Sequence, residues 1–312
     1  MHDVSVKLPH GKRQVLVAAI EALKNASNVV ALVLGGSYAR GVAQEASDLD
    51  IGIYYREAAP LSVQEVRAIA ESICTPGSLP VVTELHGWGP WVNGGAWIQT
   101  PATKVDFVYR NLDQLGGVIE EGQRGVWRHD YDQQPPYGFR SIVYFAETHF
   151  CVPLHDPEGE IRELKRAVAT YPEPLKKRIM HDGLWGAEFS MWSCDRFAAS
   201  ADVYNAAGCM TRAAQYLVHA IFALNEEYFL NDKHVNGILA QLPKSPHDFA
   251  RRLADVLSRV GRDAAELCSS LESLRQLWAD AVKLTDGAYQ PRFDLTAALA
   301  SNSKSAHGHR RV

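Results

Sequence analysis

Hydrophobic and polar positions follow different periods in the two halves of the chain. In the first half, β-branched or alternating apolar runs are separated by segments with apolar residues at helical spacing. This pattern predicts an α/β (α+β) domain with a mixed sheet, with helices at 12–25 and 62–74 and strands at 29–36, 48–55, 79–87, 103–110 and 149–159. The Gly- and Trp-rich segment 88–97 is interpreted as a connection between two of these strands.

The second half carries long segments at helical spacing and no convincing strand. It predicts an all-α helical bundle, with helical segments at 159–171, 173–200, 201–229, 246–261 and 264–285. The change of pattern predicts a first domain over residues 1–157 and a helical domain over 158–290. Residues 291–312 end in a small, polar, aperiodic stretch and predict a flexible tail.

Composition narrows the classes of function. The chain has 312 residues, 46% of them hydrophobic, which is enough for two domain cores. Its formal net charge of -4 argues against a broad electropositive surface for nucleic acid, although a local basic groove stays open. No signal peptide or membrane-spanning run is evident, so we expect a cytoplasmic protein.

Two acids interrupt an apolar strand. Because side chains alternate along a strand, Asp48 and Asp50 are expected on one face, about 7 Å apart, with Leu49 and Ile51 on the other. Two like charges on a partly buried strand need a cationic partner, and a pair of divalent ions would provide one. The alternative is a solvated strand face that carries two acids.

A glycine turn precedes these acids. Gly35 and Gly36 permit unusual backbone torsions, and Ser37 adds a hydroxyl beside the unpaired N–H groups of a short predicted helix. Such a turn can bind phosphate groups, and Arg40 could contribute a guanidinium. A turn without a ligand and a surface arginine are the simpler interpretations.

A third acid strengthens the functional interpretation. Asp106 lies between Val105 and Phe107 in another predicted strand, where a carboxylate needs a partner. Three strand aspartates and a phosphate-binding turn favour two-metal phosphoryl or nucleotidyl transfer. In this hypothesis Asp48 and Asp50 hold both ions, and Asp106 binds the ion that activates the attacking hydroxyl.

The motif resembles the nucleotidyltransferase superfamily of DNA polymerase beta, poly(A) and CCA-adding enzymes, and the aminoglycoside and lincosamide nucleotidyltransferases. The matching residues are Leu34, Gly36-Ser37, a ten-residue spacer, Asp48-Leu49-Asp50-Ile51, and the later Asp106. The full chain is similar to an uncharacterised bacterial subgroup of this superfamily with a helical C-terminal domain.

The resemblance implies a fold, a reaction and a set of ligands. Gly36 and Ser37 would contact the triphosphate of a nucleotide, and the three aspartates would bind two Mg²⁺ ions. The enzyme would move a nucleoside monophosphate, AMP from ATP, to a hydroxyl of a small-molecule acceptor. By analogy with antibiotic nucleotidyltransferases, the helical domain would complete the cleft, and Lys233 could reach the triphosphate or be an exposed lysine.

Some roles stay open at this stage. Glu84, expected in a strand beside the one that carries Asp106, is a weak candidate general base. Trp88, Trp91 and Trp97 could stack on a base or acceptor ring, or could anchor a Gly-rich loop. The acceptor could instead be a protein side chain, and a non-catalytic partner of the toxin–antitoxin type is the alternative from another functional class.

Overall fold

The structure is a computed structural model that describes residues 7–295. The chain forms two compact units, and the boundary between them follows Pro172. The predicted tail therefore lies outside the described residues from position 296 onward. None of the helices within 7–295 is long and apolar enough to cross a membrane.

The first unit combines a mixed sheet with helices, as predicted. In chain order its elements are α1 (His10–Leu23), β1 (Ala31–Leu34), α2 (Gly36–Ala39), β2 (Leu49–Tyr55), α3 (Val63–Ile73), β3 (Val81–Val82), β4 (Gly95–Gln99), β5 (Lys104–Asn111), α4 (Leu112–Gln123), β6 (His129–Asp130), β7 (Phe139–Arg140), α5 (Ile142–Phe150), β8 (Val152–His155) and α6 (Glu160–Ala167). Six strands form one sheet in the order β3-β4-β5-β2-β1-β8, and β6 pairs with β7. Strands β2 and β5 run parallel, and the other pairs are antiparallel.

Alternation along the central strands separates a core face from a partly open face. In β2, Leu49 and Ile51 are fully buried, and Val105 and Phe107 of β5 are buried beside them. These residues form one hydrophobic core with apolar residues of α1 and α3. The opposite face therefore carries the side chains of Asp50 and Tyr54.

Several segments differ from the sequence prediction. The segment interpreted as a connection contains strand β4, and the predicted strand at 79–87 is paired only at Val81–Val82. Helices α4 and α5 were not predicted, and the segment expected as a strand from 149 begins inside α5. Pairing of β4 with β5 brings Gly95 so close to Phe107 that a Cβ atom would lie 1.9 Å from its carbonyl oxygen, which explains the glycine at this position.

Helix α6 belongs to the first unit, so the units divide after residue 172 rather than after 157. Ile161 of α6 is buried, and the Lys165 ammonium donates to the backbone carbonyls of His149 at 2.6 Å and Cys151 at 2.7 Å. These contacts hold the helix to the end of α5.

The regular secondary structure of the second unit, within its described residues, is helical, as predicted. Its elements are α7 (Glu173–Ala199), α8 (Val203–Leu224), α9 (Val235–Leu239), α10 (Phe249–Ser258) and α11 (Ala264–Lys283). Helix α7 packs against α8 and α11. The Asn225 side chain donates to the carbonyls of Ile221 at 2.8 Å and Lys244 at 2.9 Å, so it closes the end of α8.

An ion pair with a buried guanidinium connects the sheet to helix α5. The Arg110 guanidinium, 7% exposed, donates to both carboxylate oxygens of Glu147 at 2.7 and 2.6 Å. Burial alone would lower the pKa of Arg110, but the adjacent carboxylate raises it above its ordinary value. The pair joins β5 to α5.

Replacing Glu147 with alanine is expected to lower the free energy of unfolding by about 3–5 kcal/mol, because a buried guanidinium would lose its counter-charge. Urea denaturation of the full chain measures the effect. Glu120→Ala is the control, since Glu120 and Arg124 form a pair that is 72% and 61% exposed and contributes at most about 1 kcal/mol. Equal losses in the two variants would contradict the assignment.

Candidate active site

Two predicted aspartates are direct neighbours in the sheet. Asp50 of β2 and Asp106 of β5 are register partners across the parallel pair, so their side chains leave the same face. Both residues are half-buried. Strands lie about 4.8 Å apart, so the two carboxylates share one patch on the open part of the sheet.

The predicted glycine turn lies against this patch. The Gly35 amide donates to the Asp50 carbonyl at 2.8 Å, which fixes the turn to β2. Gly36 has a φ of +61°, and a Cβ atom there would lie 1.7 Å from Oδ2 of Asp50. Only glycine satisfies both the torsion and the contact, so the turn and the carboxylate form one structural feature.

Helix α2 starts at this turn. The N–H groups of Gly36, Ser37 and Tyr38 have no acceptor within the helix, because the first turn of a helix has none. Ser37 is half-buried. The predicted phosphate-binding residues Gly35, Gly36 and Ser37 therefore lie beside Asp50.

Arg40 lies at the other end of α2. Its Cζ atom is 5.2 Å from the centre of the Phe150 ring, a cation–π contact. It also lines a cavity of about 1220 Å³ together with Lys12 and Tyr38. None of the three predicted metal-binding aspartates lines that cavity. A role for Arg40 at the phosphates stays a prediction.

Asp48 lies one residue before β2 rather than within it. A turn precedes it, in which the Ser47 amide donates to the Gln44 carbonyl at 3.0 Å and the Gln44 amide donates to the Ser47 hydroxyl at 2.9 Å. Because of this turn, β2 begins at Leu49 and not at Asp48. Asp48 is half-buried at the edge of the open face, and its role as a metal ligand stays a prediction.

A buried lysine that the sequence interpretation missed fastens this turn. The ammonium of Lys12, a residue only 6% exposed, donates to the carbonyls of Glu45 at 2.7 Å and Ser47 at 2.6 Å. It also lies 5.2 Å from the centre of the Tyr38 ring in α2. Lys12 thus connects α1, α2 and the segment that leads into Asp48.

Replacing Lys12 with methionine is expected to lower the free energy of unfolding by about 2–3 kcal/mol, because the carbonyls of Glu45 and Ser47 lose the charged donor that a buried lysine provides. Amide hydrogen exchange at residues 44–48 should accelerate. Lys24→Met is the control, since Lys24 follows the same helix and makes only a surface pair with Glu21. Unchanged exchange at 44–48 in the Lys12 variant would show that the lysine does not hold the turn.

Glu84 does not lie beside the strand that carries Asp106. It follows the short β3, and β4 separates β3 from β5. Its side chain is 78% exposed and lies 3.9 Å from Arg67. The register partner of Asp106 on that side is Trp97. The predicted position of Glu84 is therefore wrong, because the segment that the sequence predicts to be a connection contains the strand that carries Trp97.

The acidic pair fits a magnesium ion that binds together with a nucleotide. Within residues 7–295, no set of three His, Cys, Asp or Glu side chains is arranged to hold a metal ion by itself. Mg²⁺ sites commonly use one or two carboxylates and complete their coordination with substrate phosphates and water. Two half-buried carboxylates beside a glycine turn at a helix start provide such a donor set.

Lys233 belongs to the second unit. It lies in the turn before α9, and its amide donates to the Asn231 side chain at 2.9 Å. The helix itself begins after His234, whose side chain makes no capping hydrogen bond. Contact between Lys233 and a triphosphate stays a prediction.

Comparison with known proteins identifies two regions. Residues 16–134 match the family model described as "Nucleotidyltransferase domain", and this range includes Gly36, Asp50 and Asp106. Residues 144–234 match "Domain of unknown function (DUF4037)". No curated protein matches the chain.

Among solved structures, the chain is similar to a nucleotidyltransferase-like protein from Exiguobacterium sibiricum. The two share 8% sequence identity, with 89% of this chain and 78% of that chain covered and a TM-score of 0.43.

Proposed function

We propose that this chain, which carries a nucleotidyltransferase domain and so belongs to that superfamily, is an enzyme that transfers AMP from ATP to a hydroxyl group of a small molecule. Pyrophosphate would be released, and two Mg²⁺ ions would serve as the cofactor.

One observation carries the proposal. Gly36, at the start of the turn, lies directly against the carboxylate of Asp50, and Asp50 is the register partner of Asp106. A phosphate group bound at the turn would therefore lie next to two carboxylates. Anionic groups cannot share that space without a cation, so the arrangement favours a metal-bound nucleotide over a free phosphate.

The protein groups have distinct tasks in the reaction. The amides of Gly36 and Ser37 hold and orient the phosphates, and Asp48, Asp50 and Asp106 would hold the metal. Mg²⁺, when bound, would neutralise charge on the phosphate oxygens as pyrophosphate leaves. The acceptor oxygen forms a bond to the α-phosphorus, the bond from that phosphorus to the pyrophosphate oxygen breaks, and the hydroxyl proton is released to solvent.

The test is an incubation of the full chain with ATP, Mg²⁺ and pooled hydroxyl compounds, with pyrophosphate and AMP adducts as the readouts. Adducts detected by mass spectrometry would identify the acceptor. If AMP is found attached to a protein side chain instead, the acceptor is a protein and not a small molecule. Tight Mg²⁺-ATP binding with no pyrophosphate under any condition would favour a non-catalytic role and contradict the proposal.

A further inference from the structure

An exposed tryptophan continues the acidic patch on the same face of the sheet. Trp97 of β4 is the register partner of Asp106, on the side opposite Asp50. It is 48% exposed, whereas its neighbours Ala96 and Ile98 are buried. Across the sheet the open face thus presents an indole, two carboxylates and the glycine turn.

A second tryptophan supports the first. The rings of Trp88 and Trp97 have centres 4.5 Å apart and are tilted by 34°. The Trp88 ring packs close to Gly95, where a Cβ atom would lie 3.2 Å from it. The Trp88 carbonyl also accepts a hydrogen bond from Gln133. We call this pair, Trp88 and Trp97, the tryptophan platform.

Trp91, the third tryptophan of this region, has a structural role. The Trp91 indole donates to the Asp130 carboxylate at 3.2 Å and stacks on Phe139 with ring centres 5.2 Å apart. Trp91 therefore anchors its loop, which leaves the platform as the aromatic surface beside the acids.

The position of the platform indicates which substrate it contacts. The phosphates are assigned to the turn at Gly36, and Asp50 and Asp106 separate that turn from Trp97. An acceptor must approach the α-phosphate from the side away from the leaving pyrophosphate. The platform lies across Asp50 and Asp106 from that turn, one strand spacing or about 5 Å from Asp106.

The chemistry of the surface restricts the acceptor further. A ligand here must present a hydroxyl to the acidic patch and an apolar face to an indole about 5 Å away. A pyranose or cyclic polyol ring does both, with C–H groups on its face and hydroxyls on its rim. A linear polyol has the hydroxyls but no such face.

We propose that the tryptophan platform binds the acceptor of the transfer reaction and that this acceptor is a hydroxyl-bearing ring of the carbohydrate or cyclic polyol class. The assignment rests on the proposed function. Trp97 is a specificity-determining residue in it, and Trp88 is a positioning residue.

Saturation-transfer NMR on the full chain tests binding, with Mg²⁺ and a non-hydrolysable ATP analogue present. The probes are a set of methyl hexopyranosides and myo-inositol, with linear glucitol as the ligand control. Trp97→Ala should weaken binding of the ring compounds about tenfold, and Trp97→Phe should retain most of it, since a flat ring remains. Trp192→Ala is the protein control, because Trp192 is equally exposed at 49% in the second unit.

Kinetics separate this inference from the proposed function. For a ring acceptor that receives AMP, Trp97→Ala should raise KM about tenfold, keep kcat within about twofold and leave the Kd for Mg²⁺-ATP unchanged. Transfer with an unchanged acceptor KM would overturn the platform and leave the function standing. Ring binding that depends on Trp97 without any AMP transfer would overturn the function instead. Absence of ring binding, or equal binding of glucitol, would also overturn the platform.

Discussion

Replacing either Asp50 or Asp106 with asparagine is expected to lower the rate of AMP transfer about a thousandfold. The two residues are register partners on one face of the sheet, so each variant removes half of the carboxylate pair that would hold the metal. Asparagine preserves shape but removes the charge that Mg²⁺ requires. A metal ion contributes several kcal/mol of charge stabilisation in phosphoryl chemistry, and about 1.4 kcal/mol corresponds to a tenfold change in rate.

The measurement is pyrophosphate release with Mg²⁺-ATP and an identified acceptor, together with Kd for Mg²⁺-ATP from calorimetry. Asp132→Asn is the matched control, because Asp132 is an exposed acid of the same unit that lies in the segment between β6 and β7. Thermal denaturation verifies that each variant folds. Transfer at the wild-type rate in folded Asp50→Asn and Asp106→Asn would contradict the catalytic assignment.

The sequence was sufficient for the central strands and for the character of each unit. Leu49, Ile51, Val105 and Phe107 bury one face of β2 and β5, and their alternation with Asp50 and Asp106 is visible locally. The pairing of the two aspartates could not be predicted, because strand register depends on hydrogen bonds between segments distant in the chain. The second unit was equally clear, since helical spacing persists through α7, α8 and α11.

Strand β4 escaped prediction for a physical reason. Its sequence, Gly95–Gln99, begins with two small residues whose burial depends on contact with β5 and Trp88 rather than on their own hydrophobicity. The omission placed Glu84 one strand too close to Asp106 and left Trp97 in a loop. Both errors follow from the strand order, which only tertiary contacts determine.

Helix α4 and Lys12 show two other limits. Gly116 and Gly117 lower the intrinsic helix propensity of α4, yet its cap is well formed, with the Asn111 side chain accepting from the amides of Asp113 and Gln114. That asparagine was a usable signal. Lys12 lies on the buried face of α1 together with Leu16. An apolar pattern does not predict this, because a lysine near the start of a helix is expected to be exposed.

Replacing Gly36 with alanine is expected to lower AMP transfer at least about a hundredfold while lowering the free energy of unfolding by only about 1–2 kcal/mol. The small cost arises from the left-handed torsion of +61°, which a Cβ atom disfavours. The large effect has a separate cause. The new methyl group would lie 1.7 Å from Oδ2 and 2.6 Å from Cγ of Asp50, so the carboxylate must rotate away from its position. Displacement of a reacting group by about 1 Å can cost about a hundredfold in rate.

Gly41→Ala separates torsional strain from displacement of the carboxylate. Gly41 has a similar φ of +72°, but nothing lies within 4 Å of a Cβ atom there, so its variant should lose comparable stability and retain transfer and Mg²⁺-ATP binding. A double-mutant cycle with Asp50→Ala gives a second check. Without the Asp50 carboxylate, Gly36→Ala should cost only its torsional strain, and the two changes should be strongly non-additive in Mg²⁺-ATP affinity. Additive losses, or equal loss of binding in the Gly41 variant, would show that the glycine turn and the carboxylate do not act as one site.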